Sequence, residues 1–193
     1  KLTQQPVDAR WAVAYTASAT DASACVLDVT AMALRFMVDY TLYVCYVATQ
    51  DEARFVEAFL NSKYANARSK EFQARGLFGP RHVSKKILDI PWPTFSRNRP
   101  SHRRLVALGC QASQAVQGLL GTQQDLELDP RSLGRLRTRI RKELAPLLGE
   151  IDTLVESIST GKDIAHQSAD WQRVIHGAAA TQTPPTFAAV SVR

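Results

Sequence analysis

"YTLYVCYVATQDEARFVEAFLNSKYANARS", residues 40–69, changes its hydrophobic period part-way along. The first nine residues are largely aromatic or β-branched, a composition that suits a pleated strand. From Thr49 the pattern becomes helical. Thr49 or Asp51 can cap the helix, and Asp51 and Glu52 sit at its positive end. Phe55, Val56, Phe59 and Leu60 then form an apolar stripe at helical spacing. Upstream, "WAVAYTASA" (11–19) alternates bulky and small residues, and "ACVLDVTAM" (24–32) carries Val26, Leu27 and Val29. Both read as strands, with Met32, Leu34 and Phe36 assigned to core or to a connecting turn.

Downstream, "EFQARGLFGPRHVSKKILDIPWPTF" (71–95) breaks regular structure. Gly76, Gly79 and Pro80 forbid a long helix. Ile90-Pro91-Trp92-Pro93 must be extended, because a residue before proline is pushed out of the helical region. Ser84 can cap one short turn, "SKKILD". Leu77, Ile87, Leu88 and Ile90 read as core, with Trp92 capping the connector.

After Pro100 the pattern is helical to about residue 160. "SHRRLVALGCQASQAVQGLLG" is one amphipathic helix that Gly121 can end. "TQQDLELD" links it to a second helix, with Asp129 as cap and Pro130 at its first position. Leu133, Leu136, Ile140, Leu144, Leu147, Ile151, Leu154 and Ile158 form a heptad-like seam suited to helix-on-helix packing. Pro146 should kink this helix. The fold class is therefore α+β: a small mixed α/β unit (1–100), a C-terminal helical hairpin packed on it (101–160), and a tail or linker (161–193), where residues 166–176 could form a short helix.

The chain has 193 residues, 45% hydrophobic and 22% charged, with a net charge of +6. The excess is local. Residues 63–104 hold eleven Lys or Arg against two acids, whereas the rest of the chain holds 13 against 16. A localised basic segment points to a polyanion partner. Cys25, Cys45 and Cys110 are well separated and read as buried thiols of a reducing, cytoplasmic compartment. No run of about 18 uncharged apolar residues exists, so no membrane span is expected. A start at Lys rather than Met, without a signal-peptide pattern, is read as a piece of a longer protein.

Chemistry is hard to find. "DIPWP" looks like the Asp-Pro-Pro-Trp loop of amino-methylating enzymes, but Ile90 stands where the first proline belongs, and the better reading is a stiff connector. No glycine-rich turn follows a first strand to hold S-adenosylmethionine. The histidines are isolated, and no nucleophile elbow or phosphate loop is present. No catalytic residue, cofactor or metal is expected in this chain.

The stretch "DYTLYVCYVATQDEARFVEAFLNSKYANARSKEFQARGLFGPRHVSKKILDIPWPTFSRNRPSHRRLVALG" (39–109) resembles the C-terminal target-recognition region of adenine-specific DNA methyltransferases of type II restriction-modification and phage-defence systems, the TaqI-like class. The matching features are Thr41-Leu42-Tyr43, Leu60-Asn61-Ser62, the basic loop Gly76 to His82, Lys85-Lys86 and Ile90 to Pro93. The likeness extends over about 11–160. It implies sequence-specific binding of double-stranded DNA, with a catalytic methyltransferase domain elsewhere in the same parent chain, S-adenosylmethionine as that domain's cofactor, and a parent that could also cleave DNA. One departure is Asp21, in a turn where relatives carry Asn and Arg; a carboxylate there repels phosphate but could accept from a cytosine amine.

The expected DNA-binding residues are Gln73, Arg75, Gly76, Phe78, Gly79, Arg81, His82, Lys85 and Lys86. The glycines let backbone approach a duplex. Arg75, Arg81, Lys85 and Lys86 offer charge-assisted donors, His82 can donate to a phosphate or a base, arginine can read guanine and Gln73 adenine. Phe78 could stack or anchor the loop. Two rival readings remain: a subunit-docking module built on the 133–158 seam, and an RNA binder.

Overall fold

The computed structural model describes residues 9–17, 19, 21–32, 41–73, 75–76, 79–80, 85–121 and 130–161. For residues 75, 76, 79, 80, 85, 86, 130 and 131 it describes the backbone only. Leu34, Phe36, Leu77, Ser84, Asp129 and the 122–129 link lie outside these residues, as does all of the tail after Gly161.

The fold is α+β. Strands β1 (Trp11–Thr16), β2 (Ala24–Asp28) and β3 (Leu42–Val47) form an antiparallel sheet in the order β2-β1-β3. The alternation in β1 sorts its two faces. Val13 and Tyr15, with Cys45 and Val47 beside them, face the main core, whereas Ala12, Ala14, Val44 and Tyr46 bury on the opposite face. Tyr15 and Tyr43 are register partners with rings 5.3 Å apart, a cross-strand pair that ties β1 to β3.

Helix α1 (Gln50–Leu60) lies on the main face. Thr49 caps it, accepting from the Glu52 N–H, and Glu52 reaches back to the Ala48 N–H at 3.1 Å. These reciprocal bonds satisfy end groups that would otherwise lack partners. Phe55, Val56, Phe59 and Leu60 are fully buried. Helix α2 (Lys63–Ser69) follows at once, capped by Ser62.

The edge strand β2 is closed by side chains rather than by another strand. Its Ser23, Cys25 and Leu27 positions bond toward β1, so the Ala24 and Val26 N–H groups point outward. Asn61 accepts from Ala24 N–H at 3.0 Å and donates to its carbonyl at 2.9 Å, while Glu57 accepts from Val26 N–H at 3.0 Å. Asn66 on α2 takes the Ala22 N–H at 2.6 Å. The spacing explains the match: residues i and i+4 on a helix rise about 6 Å, and residues i and i+2 on a strand about 6.7 Å. Polar helix side chains therefore act as a substitute strand and blunt a sheet edge that would otherwise invite pairing.

Helices α3 (Pro100–Gly121) and α4 (Pro130–Thr160) pack along each other, as the hairpin reading requires. The first half of α3 lies on α1. Gly109 permits that approach, since a Cβ there would sit 3.2 Å from the Arg54 carbonyl oxygen. Of the seam, Leu136, Leu144 and Ile151 are buried, whereas Leu133, Ile140, Leu147, Leu154 and Ile158 are half-buried. Val155, which the seam omits, is fully buried. Helix α4 runs unbroken through Pro146.

One expectation needs correction. Only Cys45 is a buried thiol, pushed up to about 12 by burial; Cys110 is half-buried and Cys25 is exposed. Cys25 pairs with Ala14 across β1–β2, so it stands on the alanine face at the sheet's edge. Of the two places open to Met32, the turn is the one observed: it is 36% exposed and follows a 3-10 turn at Val29–Ala31.

Candidate nucleic-acid interface

The basic loop is seated by buried anchors on both sides. On the incoming side a 3-10 turn, Lys70–Phe72, follows α2 and leads to Gln73. Ser69 is fully buried and Gln73 is 6% exposed. On the outgoing side a 3-10 turn spans Lys85–Asp89, as the short "SKKILD" turn anticipates. Ile87, Leu88 and Ile90 are buried. Trp92 goes further than capping the connector. It is 1% exposed and stacks on Phe59, with centroids 4.1 Å apart, while Phe55 lies 5.1 Å away. The connector continues to His102, also fully buried. Its Nδ1 accepts from the Ser96 N–H at 3.1 Å, and its ring lies 4.6 Å from that of Phe55.

Between these anchors β4 (Arg75–Gly76) and β5 (Gly79–Pro80) pair antiparallel, with Arg75 opposite Pro80 and Gly76 opposite Gly79. A ribbon this short demands permissive backbone at its inner pair. Gly76 and Gly79 supply it. The ribbon thus brings together Arg75, Gly76 and Gly79 of the expected set, and Lys85 and Lys86 open the turn that returns the chain to the core. Phe78, Arg81 and His82 lie outside the described residues.

Gln73 must be reassigned. A base reader needs its amide at the surface, and Gln73 is buried at the root of the ribbon. Asp21 also has a different role from the one its isolated sequence position suggests. Its carboxylate pairs with Lys70 at 3.1 Å, which offsets its repulsion of phosphate near the loop's incoming side.

A separate open groove of about 570 Å³ lies between α2 and α4. Lys63 and Arg68 line it, but so do Glu71, Asp152 and Glu156, so it has no cationic excess to hold a polyanion. Asp152 instead joins the two helices: it accepts from the Lys63 N–H at 2.7 Å and pairs with the Lys63 ammonium at 3.2 Å.

A buried polar cluster, absent from the sequence reading, sits under β2. Arg54 pairs with Glu57 at 2.9 Å and donates to the Ser113 hydroxyl of α3. Burial pushes the Glu57 carboxyl up, and Arg54, the Val26 N–H and Ser113 draw it back only in part. The cluster joins β2, α1 and α3. The hint in the sequence was polar residues at 57, 61 and 66, but choosing their partners required the sheet order.

Among the described residues no three His, Cys, Asp or Glu side chains gather as a metal-holding group. No helix among them is long and apolar enough to cross a membrane. No protein-family model, curated protein or solved structure matches the chain.

Proposed function

We propose that this chain is a double-stranded DNA target-recognition module, serving an adenine-specific methyltransferase or restriction-modification enzyme whose catalytic domain and S-adenosylmethionine site lie elsewhere in the parent protein. One observation carries the reading: a short glycine-bearing β-ribbon, set between buried anchors, within the basic segment 63–104. A two-stranded ribbon fits the major groove of B-DNA. Roots such as Trp92 and Ile87 fix its direction, which reduces the ordering cost of binding. Arg75 and Arg81 are the proposed base readers, Lys85 and Lys86 the phosphate contacts. The docking alternative loses much of its surface, because the seam packs on α3 and, through Ile151, enters the core beside Val155.

Fluorescence anisotropy on duplex DNA across a salt series tests this. Lys85→Ala with Lys86→Ala should weaken binding to all duplexes alike and lower the salt slope by about 2. Arg81→Ala should cost about 1–3 kcal/mol on the preferred site and less elsewhere. A double lysine variant that binds as the parent does at every salt concentration contradicts the assignment.

A further inference from the structure

The hairpin carries a second concentration of positive charge, apart from the loop. Residues 131–142 hold six Lys or Arg and no acid, while residues 105–121 of the facing helix α3 hold no charge at all. Arg135, Arg137, Arg139, Arg141 and Lys142 are all exposed. Arg135, Arg139 and Lys142 follow steps of four and three, so they share one stripe. At 100° per residue that stripe lies roughly 130° around α4 from Leu136, Ile140 and Leu144. The apolar seam faces α3 and this stripe faces away.

Two features separate this stripe from an ordinary solvated helix face. First, five exposed cations elsewhere have carboxylate partners: Arg10 with Asp28, Lys63 with Asp152, Lys70 with Asp21, Arg97 with Asp51 and Arg104 with Glu150, at 2.7 to 3.2 Å, while Arg68 lies over the Tyr64 ring and Arg103 donates to the Arg97 carbonyl. Among the described residues no carboxylate pairs with the five α4 cations; Arg135 donates to the Ser132 hydroxyl at 3.3 Å. Glu143 stands four residues beyond Arg139, a spacing that brings the two side by side on the helix, yet they form no ion pair. Asp125, Glu127 and Asp129 of the 122–129 link lie outside the described residues. Second, the stripe is on the less buried end of the hairpin. The buried residues of α3 are His102, Leu105, Leu108 and Gly109, all in its first half. In α4 the deepest, Ile151 and Val155, lie in its second half.

We propose that the first half of α4 is a second contact with duplex DNA, gripping the phosphate backbone without reading sequence. This rests on the DNA-binding reading above and adds a site to it. The rise from Arg135 to Lys142 is about 10 Å, which spans roughly three phosphates of one strand at about 3.4 Å of helix axis each. The loop would select the site, and the arm would add affinity on any sequence.

The test uses the 193-residue chain and labelled duplexes, comparing a preferred sequence with a randomised one across a salt series. In the variant Arg135→Gln/Arg139→Gln/Lys142→Gln, binding to both duplexes should weaken by the same factor. The salt slope should fall by about 2–3, near 0.9 per lost phosphate contact, with the preference ratio unchanged. Arg97→Gln/Arg104→Gln, which removes cations already paired with acids, should change the slope much less. Circular dichroism and a melt establish that each variant is folded. If the triple variant matches the parent while Lys85→Ala/Lys86→Ala weakens binding, the arm is refuted and the loop stands. If the arm variant loses binding and the loop variant does not, the loop reading fails and the arm stands. No effect from either variant overturns both. Arm dependence seen only with single-stranded RNA, or only with an acidic protein, overturns duplex DNA as the partner.

Discussion

Asn61→Ala should open the edge of the sheet. The Asn61 amide makes two bonds to one residue, accepting from Ala24 N–H at 3.0 Å and donating to Ala24 C=O at 2.9 Å. A net intramolecular hydrogen bond contributes about 1 kcal/mol, and stranding a buried partner costs more. Ala24 is half-buried, so water can recover part of that cost. The expected loss is about 2–3 kcal/mol, equivalent to about 4–12 °C in Tm for a chain of this size. Asn61 also ends α1, but its helical backbone there suits alanine equally well. Asn61→Asp is the sharper control. It keeps the acceptor but sets a carboxylate against the Ala24 carbonyl, so it should rescue little. Urea unfolding gives the free energy, and hydrogen exchange at the Ala24 amide gives the location. A loss below about 0.5 kcal/mol with unchanged Ala24 exchange would refute the substitute-strand argument.

Glu57 supplies a pH test. Burial sets its folded pKa above the unfolded value of about 4.3. In that window the folded state binds more protons than the unfolded, so stability falls as pH rises through it. The stability of the parent minus that of Glu57→Gln should therefore decrease upward from about pH 4.3; a constant difference from pH 4 to 7 would count against it. On α4, Ile151→Ala should cost about 2–5 kcal/mol as a core cavity, and Ile140→Ala, half-buried on the arm, clearly less. Equal costs would show that the arm is as tightly packed as the core.

The sequence made the elements legible because their signals are local. The period change at Thr49, the cap there, the prolines at 91 and 93, and Asp129-Pro130 each act over a few residues, and α1, the connector, α3 and α4 follow from them. Alternation in "WAVAYT" also gave the two faces of β1. What stayed hidden was relational. Glu57, Asn61 and Asn66 look like surface polar residues until β2 proves to be an edge whose outward N–H groups lie one helical turn apart. Gln73 looks like a base reader until the turn after α2 folds it inward. Asp21 looks like a liability until Lys70 comes within 3.1 Å. The cations of α4 are masked in the chain-wide charge balance by the acids that flank them in sequence.

Sequence preference tests the central claim most directly. The chain would be incubated with a pool of duplexes randomised over a central stretch, the bound fraction recovered and sequenced, and the affinity of the enriched duplex compared with that of the starting pool. The account predicts one enriched duplex sequence, bound on the order of a thousandfold more tightly than random DNA at physiological salt, with the preference relaxed by Arg81→Ala. A bound fraction as random as the input, at every salt concentration, would contradict it.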